Sequence, residues 1–231
     1  MINLFKLIKF TKLGFSLDID KEKTYPQDRD LSQLYFVVTG ANSGLGFETT
    51  KRLLQMNANV IIICRNKERM SEAIQDFQKE KGTVFPLEYD LSDLSVVESL
   101  TKDILGISRS IECLIHNAGA LFDDKKLSPQ NFEASFALMT LVPFKLSMAL
   151  NQNIKKQIFV ASGGMYGASQ NLEDYNFEKR KFNGVKAYAE NKRNQVDLAK
   201  LFSEKYPEVQ SFSMHPGWVD TPGLRKSLPG F

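Results

Sequence analysis

The order of short apolar runs and longer amphipathic stretches is the feature that most restricts how this chain can fold. From residue 34 onward, six short runs rich in β-branched and aromatic residues alternate with stretches of helical character. Strands and helices that take turns predict a parallel sheet covered by helices on both faces. The run VIIIC at residues 60–64 is apolar throughout, as expected of a strand buried on both sides.

The same pattern gives approximate bounds for each element. The predicted strands are YFVVTG, NVIIICR, TVFPLEYD, IECLIHNAG, KQIFVASGG and VQSFSMHPG. The predicted helices span about residues 45–56, 67–81, 93–107, 129–150 and 184–205. We therefore predict a single α/β domain built on a parallel sheet.

The N-terminal segment differs in charge from the rest of the chain. Residues 1–17 carry three lysines and no acid, whereas residues 18–231 hold 27 basic and 27 acidic residues. The neutral body argues against nucleic-acid binding. The basic apolar segment suits contact with a membrane surface or a protein partner, a targeting peptide, or a packed extension, so membrane, mitochondrial and cytoplasmic locations all stay open. We assign residues 1–33 to this extension and its linker, and residues 34–231 to the domain.

Cysteine, histidine and hydropathy patterns exclude three other classes. The two cysteines, Cys64 and Cys113, lie in apolar runs where a small buried residue is expected, so a disulfide framework is not indicated. His116 and His215 lie far from any second ligand at metal-binding spacing. The absence of 18 uninterrupted apolar residues excludes a membrane-spanning helix.

A glycine-rich loop follows the first predicted strand. In VVTGANSGLGFETTKRLL, Gly40, Gly44 and Gly46 lie between that strand and the next helix. Glycine there permits close backbone approach, and free N–H groups at a helix N-terminus can bind a pyrophosphate. Ordinary turns also use glycine, but the strand before and the helix after favour a nucleotide-binding loop.

The spacing TGxxxGxG and four further motifs resemble the short-chain dehydrogenase/reductase family. HNAG at 116–119, the Asp90-Leu91-Ser92 stretch, PGWVDTPG at 216–223, and Ser162 placed 26 residues before YAENK follow in the family's order. The resemblance covers about residues 35–230. It implies a Rossmann fold, that is, a doubly wound parallel sheet with strand order 3-2-1-4-5-6. It also implies that this domain binds NAD or NADP and transfers hydride between an alcohol and a carbonyl compound.

The resemblance also implies catalytic roles. Tyr188 would be the general acid/base and Lys192 its electrostatic partner, four residues later on one helix face. A phenol near its ordinary pKa of about 10 is a poor base at neutral pH, and a nearby ammonium is expected to lower that pKa. Ser162 would donate a hydrogen bond to the substrate oxygen.

Cofactor binding is expected from the glycine loop, the strand ends and the catalytic helix. An NAD enzyme usually has a carboxylate at the end of the second strand. Here Cys64 is followed by Arg65, which suits a 2′-phosphate and favours NADP over NAD, although an arginine can also simply solvate a strand end. The implied cofactor-binding residues are Gly40, Asn42, Ser43, Gly44, Leu45, Gly46, Arg65, Asp90, Leu91, Asn117, Ala118, Gly119, Tyr188, Lys192, Pro216, Gly217, Val219 and Thr221.

Two departures from the family pattern keep a second function open. Met139 stands where the family normally carries an asparagine that helps connect the lysine to solvent, and a thioether has no donor. The chain also stops at Phe231, before the family's substrate-covering helices and a further strand. We expect an NADP-dependent oxidoreductase acting on a small carbonyl or alcohol, able to form an oligomer or larger assembly. The alternative is a catalytically weakened accessory subunit, in a membrane assembly for example, that retains nucleotide.

Overall fold

The sheet has the predicted topology. A computed structural model describes residues 29–169, 171–217 and 219, and within them the chain forms one sheet of six parallel strands. The strands are β1 (Tyr35–Thr39), β2 (Asn59–Cys64), β3 (Thr83–Glu88), β4 (Ile111–His116), β5 (Ile154–Val160) and β6 (Gln210–Met214). Their order is β3-β2-β1-β4-β5-β6, with every neighbouring pair parallel. The doubly wound α/β fold and the strand order are therefore confirmed.

Helices connect the strands and cover both faces of the sheet. They are α1 (Gly44–Gln55), α2 (Lys67–Phe77), α3 (Val96–Ile107), α4 (Ala134–Phe136), α5 (Val142–Leu150) and α6 (Gly184–Lys205). A π-helical turn over Ala137–Leu141 joins α4 to α5. Two 3₁₀ turns, Gly163–Gly167 and Leu172–Asp174, lie between β5 and α6.

The core lies on both sides of the sheet, as the alternation of strands and helices predicts, with a large cluster on each side and a smaller one where Phe159 of β5 packs on Leu198 and Phe202 of α6. Val37 of β1 packs on one side with Leu100 of α3 and Leu146 of α5. Its neighbour Val38 faces the other side, with Leu54 of α1 and Phe77 of α2. The run at residues 60–64 is buried throughout, which confirms the prediction of a strand covered on both faces. Both cysteines are buried free thiols.

The structure corrects the start of the helix predicted over residues 129–150. Asn131 has a positive φ of 63°, and the backbone N–H of Phe132 donates to Ser128 Oγ at 3.2 Å, so this stretch is a turn. The helix starts after Glu133, whose carboxylate accepts from the backbone N–H groups of the next turn. Turn residues with local side-chain bonds overrode the apolar periodicity here.

Two other helices are shorter than predicted. The helix α2 ends at Phe77 rather than 81, where the chain turns toward β3. The helix α3 begins at Val96 rather than 93, because Asp93 accepts from the backbone N–H and the hydroxyl of Ser95 and so holds a local turn.

The π-helical turn has a cause in the sequence. Pro143 has no N–H to donate to the carbonyl of Met139 four residues earlier, and its ring crowds that carbonyl. The backbone N–H of Val142 reaches instead to the carbonyl of Ala137, five residues back. The helix therefore widens at the turn that carries Met139.

The described part of the predicted linker lies against the domain. The backbone N–H of Leu31 donates to the carbonyl of Met56 at 2.8 Å, and Asn59 Nδ2 donates to the carbonyl of Ser32 at 2.7 Å. Residues 1–28 lie outside the described part of the chain. The boundary at residue 33 and the role of the basic segment therefore stay predictions.

Arg180 fastens the segment before α6 to that helix. Its guanidinium donates to Asp174 Oδ2 at 3.0 Å and to both carboxylate oxygens of Glu190 at 2.6 and 2.8 Å. The guanidinium carbon also lies 4.0 Å from the centre of the Phe177 ring. Because Glu190 lies on α6 two residues beyond Tyr188, this clamp joins the loop to the helix that carries the predicted acid/base.

We expect Arg180→Met to lower the midpoint of thermal unfolding by roughly 5 °C, because it leaves the buried Glu190 carboxylate without a cation. Circular dichroism of the two proteins measures the difference. Arg193→Met is the matched control, since its pair with Asp197 is longer, at 3.8 Å, and exposed, and it should shift the midpoint by less than about 1 °C. Equal shifts in the two variants would contradict the clamp.

Candidate active site

A cavity opens where the parallel strands end. It has a volume of about 320 Å³ and lies at the carboxyl ends of β1, β2 and β4, where α/β sheets bind ligands. The predicted cofactor residues that line it are Gly40, Asn42, Ser43, Gly44, Leu45, Arg65, Asp90, Leu91, Asn117, Ala118 and Gly119. The fold thus brings together residues from four separate loops.

The cavity also contains residues that sequence analysis missed. They are Ile63, Cys64, Asn66, Arg69, Tyr89, Ala120 and Leu138. Arg69 was detectable, because it lies four residues after Arg65 at the start of a predicted helix and so reaches the same side. Asn66 caps that helix by accepting from the backbone N–H of Arg69 at 2.8 Å, which orients α2 toward the cavity.

The glycine loop leaves room for close backbone approach. Gly40 has a φ of +66°, which suits glycine, and its N–H donates to the carbonyl of Ile63 at 2.8 Å. A methyl group at Gly46 would collide with the carbonyl oxygen of Gly40 and lie 2.5 Å from Asn117 Nδ2. A side chain at position 46 would therefore force α1 away from β1.

Asn117 braces this loop from the neighbouring strand. Its side-chain Nδ2 donates to the carbonyls of Thr39 at 2.9 Å and Gly40 at 3.1 Å. The backbone N–H groups of Asn117 and Ala118 both donate to Thr39 Oγ1. The HNAG motif thus fixes the shape of the glycine loop as well as lining the cavity.

The donor set of the cavity fits a dinucleotide. Within the described residues, the Ser43 side chain makes no capping hydrogen bond at the N-terminus of α1, so the first-turn N–H groups there can face an anion. Arg65 and Arg69 supply positive charge at the end of β2. Asp90 Oδ1 accepts from the backbone N–H and the hydroxyl of Ser92, which holds the turn after β3.

The predicted catalytic side chains come together beside the end of β5. Ser162 lies two residues beyond β5, and its hydroxyl lies close enough to the phenol of Tyr188 on α6 to affect the pKa of that phenol. Lys192 Nζ lies 5.6 Å from the centre of the Tyr188 ring. The loop after a strand and one turn of a helix thus deliver a hydroxyl, a phenol and an amine to one place.

Burial dominates the electrostatics of this trio. It raises the pKa of Tyr188, while the hydrogen bond with Ser162 acts in the opposite direction. Burial also lowers the pKa of Lys192 to about 7. The direction for Tyr188 differs from the lowered pKa expected from sequence, because removing the phenol from water disfavours phenolate.

Met139 lies close to Lys192. A methyl group built on Gly119 would lie 3.1 Å from Met139 Sδ and 3.3 Å from Lys192 Nζ, so both side chains surround Gly119. Met139 is completely buried. A thioether therefore occupies the neighbourhood in which sequence analysis expected the family's asparagine.

The turn after β6 approaches the serine loop. The His215 ring packs on Gly163, directly after Ser162, and His215 Nδ1 accepts from the backbone N–H of Gly217 at 3.1 Å. This arrangement brings the turn that carries Pro216 and Gly217 against the loop that follows Ser162. Val219 is exposed, and Thr221 lies outside the described residues.

The part of the chain that the structure describes contains neither a cluster of metal ligands nor a helix that could span a membrane. No group of three or more His, Cys, Asp or Glu side chains converges in a way that would hold a metal ion. None of its helices combines the length and the apolar character needed to cross a membrane.

Known proteins share both the sequence pattern and the fold. The sequence model of the short chain dehydrogenase family matches residues 35–170. Dehydrogenase/reductase SDR family member 12 of Bos taurus is 35% identical over 85% of this chain and 64% of that protein. The Homo sapiens protein of the same name is 31% identical over 97% of this chain, which spans 73% of its length.

A solved structure has the same fold at low sequence identity. The short-chain dehydrogenase from Sphingobium yanoikuyae in complex with NADPH superposes with a TM-score of 0.65 and 16% identity. The match covers 84% of this chain and 74% of that protein.

We expect Gly46→Ala to abolish measurable nucleotide binding, because the added methyl group collides with the backbone of the glycine loop. Titration with NADPH, followed by its fluorescence, measures the loss. Gly106→Ala is the control: a methyl group there meets nothing within 4 Å, so binding should match the wild type. Retained binding in Gly46→Ala would contradict the close approach.

Proposed function

This chain belongs to the short-chain dehydrogenase/reductase family of oxidoreductases, and we propose that it interconverts an alcohol and a carbonyl compound with NADP(H) as cofactor. The observation that carries this proposal is the meeting of Ser162, Tyr188 and Lys192 at the strand ends, next to the cavity. Hydride transfer to a carbonyl needs a bound cofactor and a proton donor. The glycine loop would bind the cofactor, and the hydroxyl, phenol and amine would provide the proton.

Each catalytic side chain has a distinct task in this proposal. The cofactor, when bound, supplies or accepts the hydride. Tyr188 donates a proton to the substrate oxygen in reduction and accepts it in oxidation. Ser162, beside the phenol, can donate its single O–H to that oxygen and so stabilise its developing charge. Lys192, as an ammonium, stabilises the phenolate form of Tyr188.

Positive charge at the end of β2 favours NADP over NAD. Arg65 and Arg69 line the cavity there, and the residue at the strand end is a buried thiol rather than a carboxylate. A ribose 2′-phosphate would gain charge-assisted hydrogen bonds from guanidinium groups. The solved relative from Sphingobium yanoikuyae carries NADPH, which supports the same choice.

The proposed partners are a small carbonyl or alcohol substrate and a membrane surface or protein that contacts residues 1–17. Three lysines among apolar residues suit a membrane surface or a protein partner, and a membrane-associated location would follow from the first. Oligomer formation fits the same proposal. Neither the neutral charge of residues 18–231 nor the cavity suggests nucleic acid.

One observation favours a second candidate, an accessory subunit with little catalytic activity. Met139 Sδ lies against Gly119 beside Lys192, where a polar side chain would help protons exchange with solvent. A chain that binds nucleotide but reprotonates Tyr188 slowly would have a structural role and little catalytic activity. The two candidates differ in whether the bound cofactor is consumed.

We predict that Arg65→Ala weakens NADPH binding by about tenfold while leaving NADH binding within about twofold, because one charge-assisted hydrogen bond to a 2′-phosphate is lost. Parallel titrations with the two cofactors measure the ratio. Arg109→Ala, an exposed arginine in the turn before β4, is the control and should change neither affinity. Wild-type protein that binds NADH as tightly as NADPH would refute the cofactor preference.

We predict that Tyr188→Phe lowers the turnover of carbonyl compounds by about 10² to 10⁴, because it removes the proton donor. Affinity for NADPH should stay within about twofold of the wild type, since the phenol acts in the transition state. Stopped-flow and steady-state loss of NADPH absorbance measure both quantities across a panel of ketones and aldehydes.

Tyr206→Phe serves as the control for losing a phenol elsewhere, because the Tyr206 hydroxyl donates to Met148 Sδ at 3.1 Å. It should leave turnover unchanged. Turnover that survives Tyr188→Phe would refute the catalytic role. A wild type that binds NADPH but consumes it with none of the compounds would favour the accessory subunit.

A further inference from the structure

The ammonium of Lys192 is held by two acceptors inside the protein. Its Nζ donates to the carbonyl of Val160 at the end of β5 at 2.6 Å, and to Gln195 Oε1 at 3.0 Å. Lys192 is 3% exposed and Gln195 is completely buried. Gln195 lies three residues after Lys192, on the same face of α6.

The orientation of the Gln195 amide is decided by the lysine. An ammonium has only donors, so it requires the amide oxygen and turns the amide nitrogen away. Gln195 Nε2 is then buried without a hydrogen-bond partner among the described residues. A buried unpaired donor carries a desolvation penalty. Hydrogen bonding at both ends of the amide therefore does not account for a glutamine at position 195.

Neighbouring amides on α6 reach a partner on another element, although Asn194 Oδ1 is itself buried without a partner among the described residues. Asn191 accepts from Thr140 Oγ1 at 2.6 Å and donates to the carbonyl of Ala187, and Asn194 Nδ2 donates to Thr140 Oγ1 at 3.3 Å. These two side chains tie α6 to the π-helical turn. In the hydrogen bonds that the structure gives, Gln195 contacts Lys192 and neither of those partners.

The elements packed against Lys192 contribute few titratable groups. The end of β5 offers the Val160 carbonyl, the loop after β4 offers Gly119, and the π-helical turn offers Met139. On α6 itself, Tyr188 faces the lysine, whereas Glu190 is paired with Arg180. His215, after β6, packs on Gly163 next to Ser162. No ion pair of Lys192 occurs among the described residues, so amide and carbonyl oxygens hold it in place of a carboxylate.

We propose that Gln195 is a positioning residue that holds the Lys192 side chain in its charged form beside Tyr188. It acts through Lys192 and touches neither substrate nor cofactor in this proposal. The inference rests on the proposed function, in which the Lys192 ammonium stabilises the Tyr188 phenolate. It names a residue that makes this stabilisation available in a fully buried site.

The consequence for proton affinity follows from the hydrogen bond. An acceptor on Nζ favours ammonium over amine, so removing it should lower the pKa of Lys192 further from its ordinary value. Fewer ammonium groups at neutral pH would raise the pKa of Tyr188. Alcohol oxidation requires phenolate, so its rise with pH should move to higher pH.

The test compares Gln195→Met with Gln195→Glu in the full chain. Methionine keeps the length of the side chain and removes the amide oxygen, whereas glutamate keeps an acceptor and adds charge. Carbon-13 NMR of protein labelled at lysine Cε, with the Lys192 signal assigned by Lys192→Arg, measures the pKa of Lys192 directly. Asn194→Leu is the matched control, since it removes a buried amide from the adjacent residue without touching Lys192.

We expect the pKa of Lys192 to fall by about one unit in Gln195→Met, to lie above the wild-type value in Gln195→Glu, and to stay unchanged in Asn194→Leu. The pH at which alcohol oxidation rises should move upward in Gln195→Met by a similar amount. An unchanged Lys192 pKa in Gln195→Met, or an equal fall in Asn194→Leu, would overturn the proposal. If Gln195→Met does not fold, the rise in Gln195→Glu decides, and its absence overturns the proposal.

The proposed oxidoreductase activity and the proposed role of Gln195 would be refuted by different results. Absence of turnover in the wild type would refute the proposed oxidoreductase activity, and it is seen in NADPH absorbance. The Lys192 titration needs no turnover and reports on Gln195 even in an inactive protein.

Discussion

The common direction of the six strands determines where the protein can act. Because every neighbouring pair is parallel, the carboxyl ends of β1, β2, β4 and β5 lie along one edge of the sheet. Loops that are far apart in sequence therefore converge there. The hydrogen bond from Lys192 to the carbonyl at the end of β5 then attaches the catalytic helix to the same edge.

Burial favours proton donation over proton acceptance by Tyr188. In the protein by itself, desolvation raises the pKa of Tyr188 and lowers that of Lys192 to about 7, so both groups move toward their neutral forms. A phenol that keeps its proton at neutral pH suits donation to a carbonyl oxygen, the proton transfer of reduction. Groups that stabilise the ammonium oppose this tendency and make the reverse reaction accessible.

Periodicity and motif spacing predicted most of what depends on local sequence. The six strands follow from runs such as residues 60–64, their order follows from the family resemblance, and α6 begins and ends at the predicted residues. Helix starts were missed where side chains bond their own backbone, as Ser128 and Asp93 do. Such bonds compete with helix formation and leave no trace in the apolar pattern.

The environment of each site residue was harder to predict than its position. Gln195 belongs to no motif, and its importance appears only when the fold places it against Lys192. The direction of the Tyr188 pKa depends on burial, which sequence spacing does not give. Residues 1–28 and 220–231 lie outside the described structure. The roles of the basic segment and of Thr221 therefore remain predictions.

The π-helical turn sets the helical phase of everything that follows it. A residue added to one turn rotates the next segment by about 100° around the helix axis relative to a continuous α-helix. This widening allows two consecutive side chains to point inward: Met139 toward Gly119, and Thr140 toward Asn191. Loss of one residue from Ala137–Leu141 would re-phase α5 and turn Leu146 and Leu150 out of the core, so the length of this segment is constrained more tightly than its composition.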